Sequence, residues 1–262
     1  MGGRAHKATP RRPLARCQRV GPRRLHQVSA TTPPREGQRQ RRRLPVGFEI
    51  VIAVIVVALV QAFLVKPFGV PSQSMEQTLR IGDRILVNRT DTTVDRGDIV
   101  VFSHGATWQE STLPRSGNPL LAAAKWVGDV TGLGPSNTAY TVKRVIGMPG
   151  DRVECCDEQG RVVVEGDPLD EPYVFEDHTF RAPELTCSST PRSSRCFPEI
   201  RVPTDRLLVL GDHRSQSADS VVNCRGGVDA SGCARFVPVN RVVGPVVLRI
   251  WPVGTFGRIP SD

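Results

Sequence analysis

From Leu44 to Val65 the chain reads LPVGFEIVIAVIVVALVQAFLV, apolar at almost every position and broken only by Glu49 and Gln61. A stripe of apolar residues marks a helix lying on a core, but here no polar face is left. Wound as a helix, the run covers about 33 Å at about 1.5 Å per residue, enough for the hydrocarbon core of a bilayer. The pattern predicts a single transmembrane helix over 44–66. A buried core helix is the weaker reading for so uniformly apolar a run. A cleaved signal peptide is the stronger rival, with VQA at 60–62 as its passable cleavage site, but the run is long for one. An uncleaved signal anchor fits best.

After residue 66 the pattern changes period. DRILVNR (83–89), GDIVVFS (97–103), YTVKRVIG (140–147), RVVVEG (161–166), RLLVLGD (206–212) and VVGPVVLRIW (242–251) are short β-branched runs. Each is bounded by Gly, Pro, Asp or Asn, the punctuation of strands joined by turns. The expected fold class is mainly β: one N-terminal transmembrane helix, then an all-β body of antiparallel or mixed sheets. Residues 104–139 read as a long excursion between strands holding one short helical turn at LLAAAKWV. Its Trp108 and Trp126 face either the protein or a membrane interface, where Trp is enriched. About 155–205, rich in Pro, Ser and Cys from 167 onward, is expected to be a small inserted cap.

Charge sharpens this organisation. The whole chain carries +9. Residues 1–43 hold twelve Arg and Lys7 against the single acid Glu36, a net of +12, so the rest carries −3. Basicity therefore belongs to a tail, not to a nucleic-acid-binding body. Rich in Arg, Pro and Gln and without apolar periodicity, the tail cannot bury enough surface to fold and is expected to be disordered. By the positive-inside rule it stays in the cytoplasm and sends residues 67–262 outside, with anionic lipid as its partner.

Cysteine usage agrees. Cys17 falls in the tail, while Cys155, Cys156, Cys187, Cys196, Cys224 and Cys233 fall on the outer side. An even number there reads as disulfides. Proximity favours Cys187–Cys196 and Cys224–Cys233, leaving the neighbours Cys155 and Cys156, whose mutual bond would be strained. No C-x-x-C spacing occurs and the histidines are scattered, so no metal and no cofactor is expected.

The polar residues that remain are few. PSQSMEQTL (71–79) follows directly on the apolar run and offers Ser72 and Ser74. Of the histidines beyond the span, only His213, in LGDHRSQSADS, sits in a dense polar cluster. Lysine is as scarce, with Lys66, Lys125 and Lys143 beyond the span. Lys66 reads as an interfacial anchor and Lys125 as solvated. Lys143 and Arg144 lie inside the β-branched run YTVKRVIG, where neighbours alternate faces, so one of the two cations must turn inward. Burial favours the neutral amine, and a neutral lysine can act as general base for a serine.

PSQSMEQTL after a membrane anchor, then RGDIVVF, YTVKRVIGMPGDRV and LGDHRSQSADS, in that order, resembles the bacterial type I signal peptidases. These are membrane-anchored serine proteases with a Ser–Lys dyad, and RIWPVG with the Arg/Pro/Gly-rich composition looks actinobacterial. The resemblance covers Leu44 to the C-terminus. It implies Ser74 as nucleophile and Lys143 as general base. The Ser72 hydroxyl and the Ser74 N–H match the oxyanion hole, and Ser217 the hydroxyl that orients the lysine. Met75 matches part of the apolar surface under substrate, and Asp212, Arg214 and Asp219 match structural support. It further implies secretory preproteins as partners, cut after small-x-small (Ala-x-Ala-like) sequences. Two positions depart from the family. Gln77 stands where Pro is common, and Val221 stands where an Arg would pair with Asp219, leaving Arg214 or Arg225 to substitute. A penicillin-binding S-x-x-K enzyme is excluded by Gln77, and a self-cleaving repressor-type protease is disfavoured by the span. The remaining rival is a non-enzymatic, membrane-anchored, disulfide-stapled β domain that binds a partner.

Overall fold

The computed structural model describes residues 45–90, 93–104, 108, 118–131, 139–226 and 232–259. The tail expected to be disordered lies outside them. Among the described residues, two α-helices and eleven strands make the framework. Helix α1 spans Val46–Phe63 and is followed at once by β1 (Val65–Gly69), then β2 (Arg84–Asn88) and β3 (Ile99–Ser103). Helix α2 (Pro119–Thr131) precedes β4 (Tyr140–Gly147), β5 (Arg152–Cys155), β6 (Val162–Val164) and β7 (Asp167–Pro168). The chain closes with β8 (Phe197–Arg201), β9 (Arg206–Leu210), β10 (Val237–Pro238) and β11 (Val242–Trp251).

Seven strands form one sheet in the order β1-β2-β11-β3-β4-β9-β10, and four form a second in the order β7-β6-β5-β8. Every ladder in both is antiparallel. The mainly β body is therefore as expected, and the smaller sheet occupies the region expected to be the cap.

The six anticipated runs all contain strands, but β1, β5, β7, β8 and β10 are additional. β1 was hidden inside the apolar segment and the motif after it. β5 alternates exposed Arg152 and Glu154 with buried Val153 and Cys155, too short a pattern to register alone. The excursion holds more than one helical turn: α2 runs for 13 residues. Pro119 opens it at a position that needs no N–H, and the Asn118 side chain accepts from the Leu120 N–H at 2.9 Å, a cap that sequence reading passed over.

Helix α1 is shorter than the 22-residue run, because the chain has already entered β1 at Val65. Its 18 residues cover about 27 Å, somewhat less than a typical hydrocarbon core. Among the described residues no helix is long and apolar enough to cross a membrane. The apolar side chains of α1 are nonetheless uncovered, Ile50, Val51, Ile52, Val54, Ile55 and Val56 among them.

Three apolar clusters support the site. Phe68, Val70, Met75, Leu79, Ile85 and Val142 form one, beneath the turn that carries Ser74. Val100, Phe102, Trp108, Val145 and Val209 form another, about the middle of the large sheet. The third joins the two sheets through Ile146, Val153, Phe197, Leu208 and Leu210. Trp108 belongs to the protein: it is buried, lies edge-on to Phe102 and donates its indole N–H to the Phe236 carbonyl at 3.3 Å. Trp126, on α2, is exposed.

Candidate active site

Ser74 sits in a single 3-10 turn, Gln73–Met75, just past β1. Met75 and Leu79 hold that turn down by entering the core at 1% and 0% exposure, each contributing about 2 kcal/mol of burial. Met75 was expected on the apolar surface under substrate. Its side chain instead points into the core, because the turn closes over the cluster beneath it. Gln77 adopts φ 78°, left-handed backbone that a proline ring forbids. The turn after Ser74 is thus shaped differently from one carrying Pro.

Lys143 comes from β4, which is buried continuously from Val142 to Gly147 between β3 and β9. One of Lys143 and Arg144 was expected to turn inward; both are buried, because strands or loops cover both faces. The Lys143 Nζ lies 2.5 Å from Ser74 Oγ, and its second polar contact is a bond donated to the Val142 carbonyl at 3.2 Å. Burial brings its pKa down from 10.5 to about 8, against the pull of Asp219 and Asp212, whose charges favour the ammonium. A large fraction of the amine is therefore neutral at mildly alkaline pH. Such a nitrogen can accept the hydroxyl proton of Ser74.

Ser72 is exposed, and its Oγ lies 3.4 Å from Ser74 Oγ, beside the atom that would attack. Ser217 is buried but donates nothing to Lys143; its hydroxyl has no hydrogen-bond partner. The lysine-orienting contact expected of Ser217 is absent, and the Val142 carbonyl occupies that place. Ser217 still belongs to the site. A Cβ added to Gly211 would collide with both Ser217 Oγ and the Ser74 carbonyl oxygen, so the loop after β9 and the serine turn touch at this glycine. The His213 N–H fastens the contact by donating to the same Ser74 carbonyl at 3.2 Å.

Asp212, on that loop, ties the two halves together. Both its oxygens accept from the Arg144 guanidinium, at 2.9 and 2.8 Å, and Oδ2 also accepts from Thr78 Oγ1 at 2.5 Å. The serine turn, the lysine strand and the loop therefore converge on one carboxylate with no exposure. Arg214 is not the partner of Asp219; it pairs with Glu171 at 2.5 Å, and, against a burial that favours the neutral form, Glu171 and Asp177 hold it further toward its charged form. Arg225 takes Asp219 instead, at 3.5 Å, replacing the Arg that Val221 displaced. The His213 ring lies between Glu76 and Glu176, at 3.5 and 3.4 Å, and neither of its nitrogens bonds Ser74.

Sequence reading did not assign Arg144, Thr78, Glu171 or Tyr173. Arg144 was legible as the second cation in a buried run. Glu171 and Tyr173, in DEPYVFED, carry no signal at all. The disulfides are Cys187–Cys196, Cys224–Cys233 and the neighbouring pair Cys155–Cys156.

An antiparallel β body that seats a serine against a buried lysine has the constellation of a serine peptidase. Residues 43–251 match the family model described as signal peptidase, peptidase S26, and the chain belongs to that family. It is 32% identical over 230 residues to the probable signal peptidase I of Mycobacterium leprae, over 80% of this chain and 78% of that one. With the signal peptidase I of Mycobacterium tuberculosis it shares 31% identity over 246 residues, covering 89% and 81%. With the probable signal peptidase I-2 of a Synechocystis species it shares 30% over 239 residues, covering 90% and 85%. The family and these relatives make the chain a signal peptidase, a serine protease.

Proposed function

We propose that this enzyme removes N-terminal signal peptides from secreted preproteins, cutting after small-x-small sequences through an acyl-enzyme on Ser74 with Lys143 as base. The observation that carries the reading is the 2.5 Å approach of Lys143 Nζ to Ser74 Oγ, with both side chains buried. Neutral Lys143 accepts the hydroxyl proton as Oγ attacks the scissile carbonyl carbon. The oxygen that becomes negative meets the Ser74 N–H and the Ser72 hydroxyl, and loss of one such donor costs about 3 kcal/mol. As the C–N bond breaks, the Lys143 ammonium returns its proton to the leaving amine. A water then gives a proton to Lys143 and attacks the ester carbon; as the ester C–O bond breaks, the Lys143 ammonium returns that proton to Ser74 Oγ, restoring the neutral dyad. Asp212, Arg214 and Asp219 hold the frame and touch no reacting atom. Met75 acts from beneath, fixing the turn.

The proposal includes the membrane. Helix α1 exposes apolar side chains in the consecutive runs Ile50–Ile52 and Val54–Val57, which cover every face of a helix. Lipid is the medium that suits such a surface. A span somewhat short for its bilayer is accommodated by local thinning. The tail's +12 charge holds it on the cytoplasmic side against anionic lipid, with no role for nucleic acid. Residues 67–262 then stand outside, where Ser74 lies nine positions past Val65 and a signal peptide presents its bond close to the bilayer.

The test is cleavage of a synthetic preprotein in detergent, wild type beside Ser74→Ala and Lys143→Ala. Each variant is expected to lose cleavage by more than about 1,000-fold while unfolding cooperatively like the wild type. Normal processing by either one contradicts the dyad. The non-enzymatic rival is favoured only if wild type itself leaves the preprotein intact.

A further inference from the structure

Between β7 and β8 the chain leaves the small sheet and lies across the loop that carries Asp212 and Ser217. Three residues of this strap, Glu171, Phe175 and Glu176, bond that loop directly. Glu171 accepts from both terminal nitrogens of Arg214, at 3.2 and 2.5 Å, and Arg214 Nε donates to the Gly211 carbonyl at 3.0 Å. The Phe175 N–H donates to the Asp212 carbonyl at 2.8 Å, and the Ser215 N–H to the Glu176 carbonyl at 3.1 Å. Asp177 pairs with Arg195 at 3.2 Å, which returns the strap to the cap.

The central residue of the strap reaches furthest. The Tyr173 ring lies over the Arg144 guanidinium, 3.7 Å from Cζ to ring centroid, and its hydroxyl donates to Glu171 Oε1 at 3.1 Å. Arg144 is the residue after Lys143, and its guanidinium neutralises the Asp212 carboxylate that also holds Thr78 of the serine turn. Stacking on an aromatic face favours a desolvated guanidinium. Tyr173 thereby keeps water from the Arg144–Asp212 pair and holds its geometry, although it contacts neither Ser74 nor Lys143.

We propose that Tyr173 is a positioning residue for the reaction, setting the register between the serine turn and the lysine strand by clamping Arg144 onto Asp212. This rests on the Ser74/Lys143 reading above. It gives the inserted cap a role in catalysis, since Tyr173 is delivered by the strap and by no part of the large sheet. The charged groups acting on Lys143 are Asp219 and Asp212; those about Tyr173 are Glu171, Arg214 and Arg144. Removing the ring admits water and weakens the neutralisation of Asp212. Both changes favour the Lys143 ammonium, so both move the alkaline-favoured activity to higher pH.

The experiment is the pH dependence of kcat/KM for preprotein cleavage by Tyr173→Ala and Tyr173→Phe, each normalised to active sites titrated with an acylating inhibitor. Tyr173→Ala is expected to lower kcat/KM about tenfold at pH 7 and to move the limb up by about half a unit or more. Tyr173→Phe keeps the stacking and is expected to stay within about twofold of wild type with the limb unmoved. If Tyr173→Ala does not fold, Tyr173→Leu is read instead, with the same direction of shift expected. A merely structural residue would lower the active fraction and leave the limb in place. That outcome overturns the proposal. Ser74→Ala, measured alongside, separates the two claims: if it is inactive while the Tyr173 limb stays fixed, only the clamp fails.

Discussion

Lys143 owes its chemistry to the place where its nitrogen ends. A lysine at the surface is an ammonium throughout the physiological range; this one is buried, and its pKa falls to about 8. In the proposed mechanism the base is the unprotonated form, so below that pH the active fraction falls about tenfold per unit. We predict that kcat/KM for preprotein cleavage rises about tenfold between pH 6 and 7, bends near pH 8 and then stays level. A rate that falls over pH 6 to 8, with the fold intact, contradicts lysine as base. Sequence showed Lys143 only through its company: it is one of three lysines beyond the apolar run and lies within the motif YTVKR. Its proximity to Ser74, 69 positions earlier, is a property of the fold. Arg144 was harder to read, since alternation along a strand assigns opposite neighbours to opposite faces and says nothing of whether both faces are covered.

At the scale of elements, the proposed base comes from β4 and the proposed nucleophile from the turn after β1, and the loop after β9 bonds the neighbours of both. Asp212 is the meeting point, held between Arg144 and Thr78 with no exposure. Asp212→Ala would leave the Arg144 guanidinium buried and without its carboxylate. We predict a loss of about 3–5 kcal/mol in denaturant unfolding, and of most activity even in the folded fraction. A change below about 1 kcal/mol would show that the pair contributes nothing net. The long β-branched runs announced their strands, because a covered sheet demands continuous apolar side chains. β5 and β8 did not, being short and half-polar, and the strap around Tyr173 has no periodicity to read. α2 carries a start signal at Asn118-Pro119, but the Gly and Pro residues on both sides of it break the helical pattern.

For the whole molecule, an apolar helix precedes a β body that carries three disulfides among the described residues. Helix α1 adds apolar surface that the body does not cover, so its loss should change partition and not chemistry. A chain beginning at residue 65 is expected to leave the carbonate-resistant membrane fraction and to remain soluble, while still cleaving a short peptide spanning the small-x-small site. Continued carbonate-resistant association of that chain would contradict α1 as the anchor. The topology proposed for the tail rests on charge alone, because the positive-inside rule acts on sequence and needs no fold. The contacts of residues 171, 175 and 176 with the loop after β9 were not legible in the sequence, since they join segments far apart in the chain.

The central claim is that Ser74 is acylated with Lys143 as its base. Its most direct test is peptide mapping by mass spectrometry after exposure to a β-lactam-type acylating inhibitor at pH 8, for wild type and for Lys143→Met. The account predicts one adduct, on the peptide containing Ser74, in wild type and none in Lys143→Met. An adduct on a different residue, or equal labelling of Ser74 in the two proteins, would contradict it.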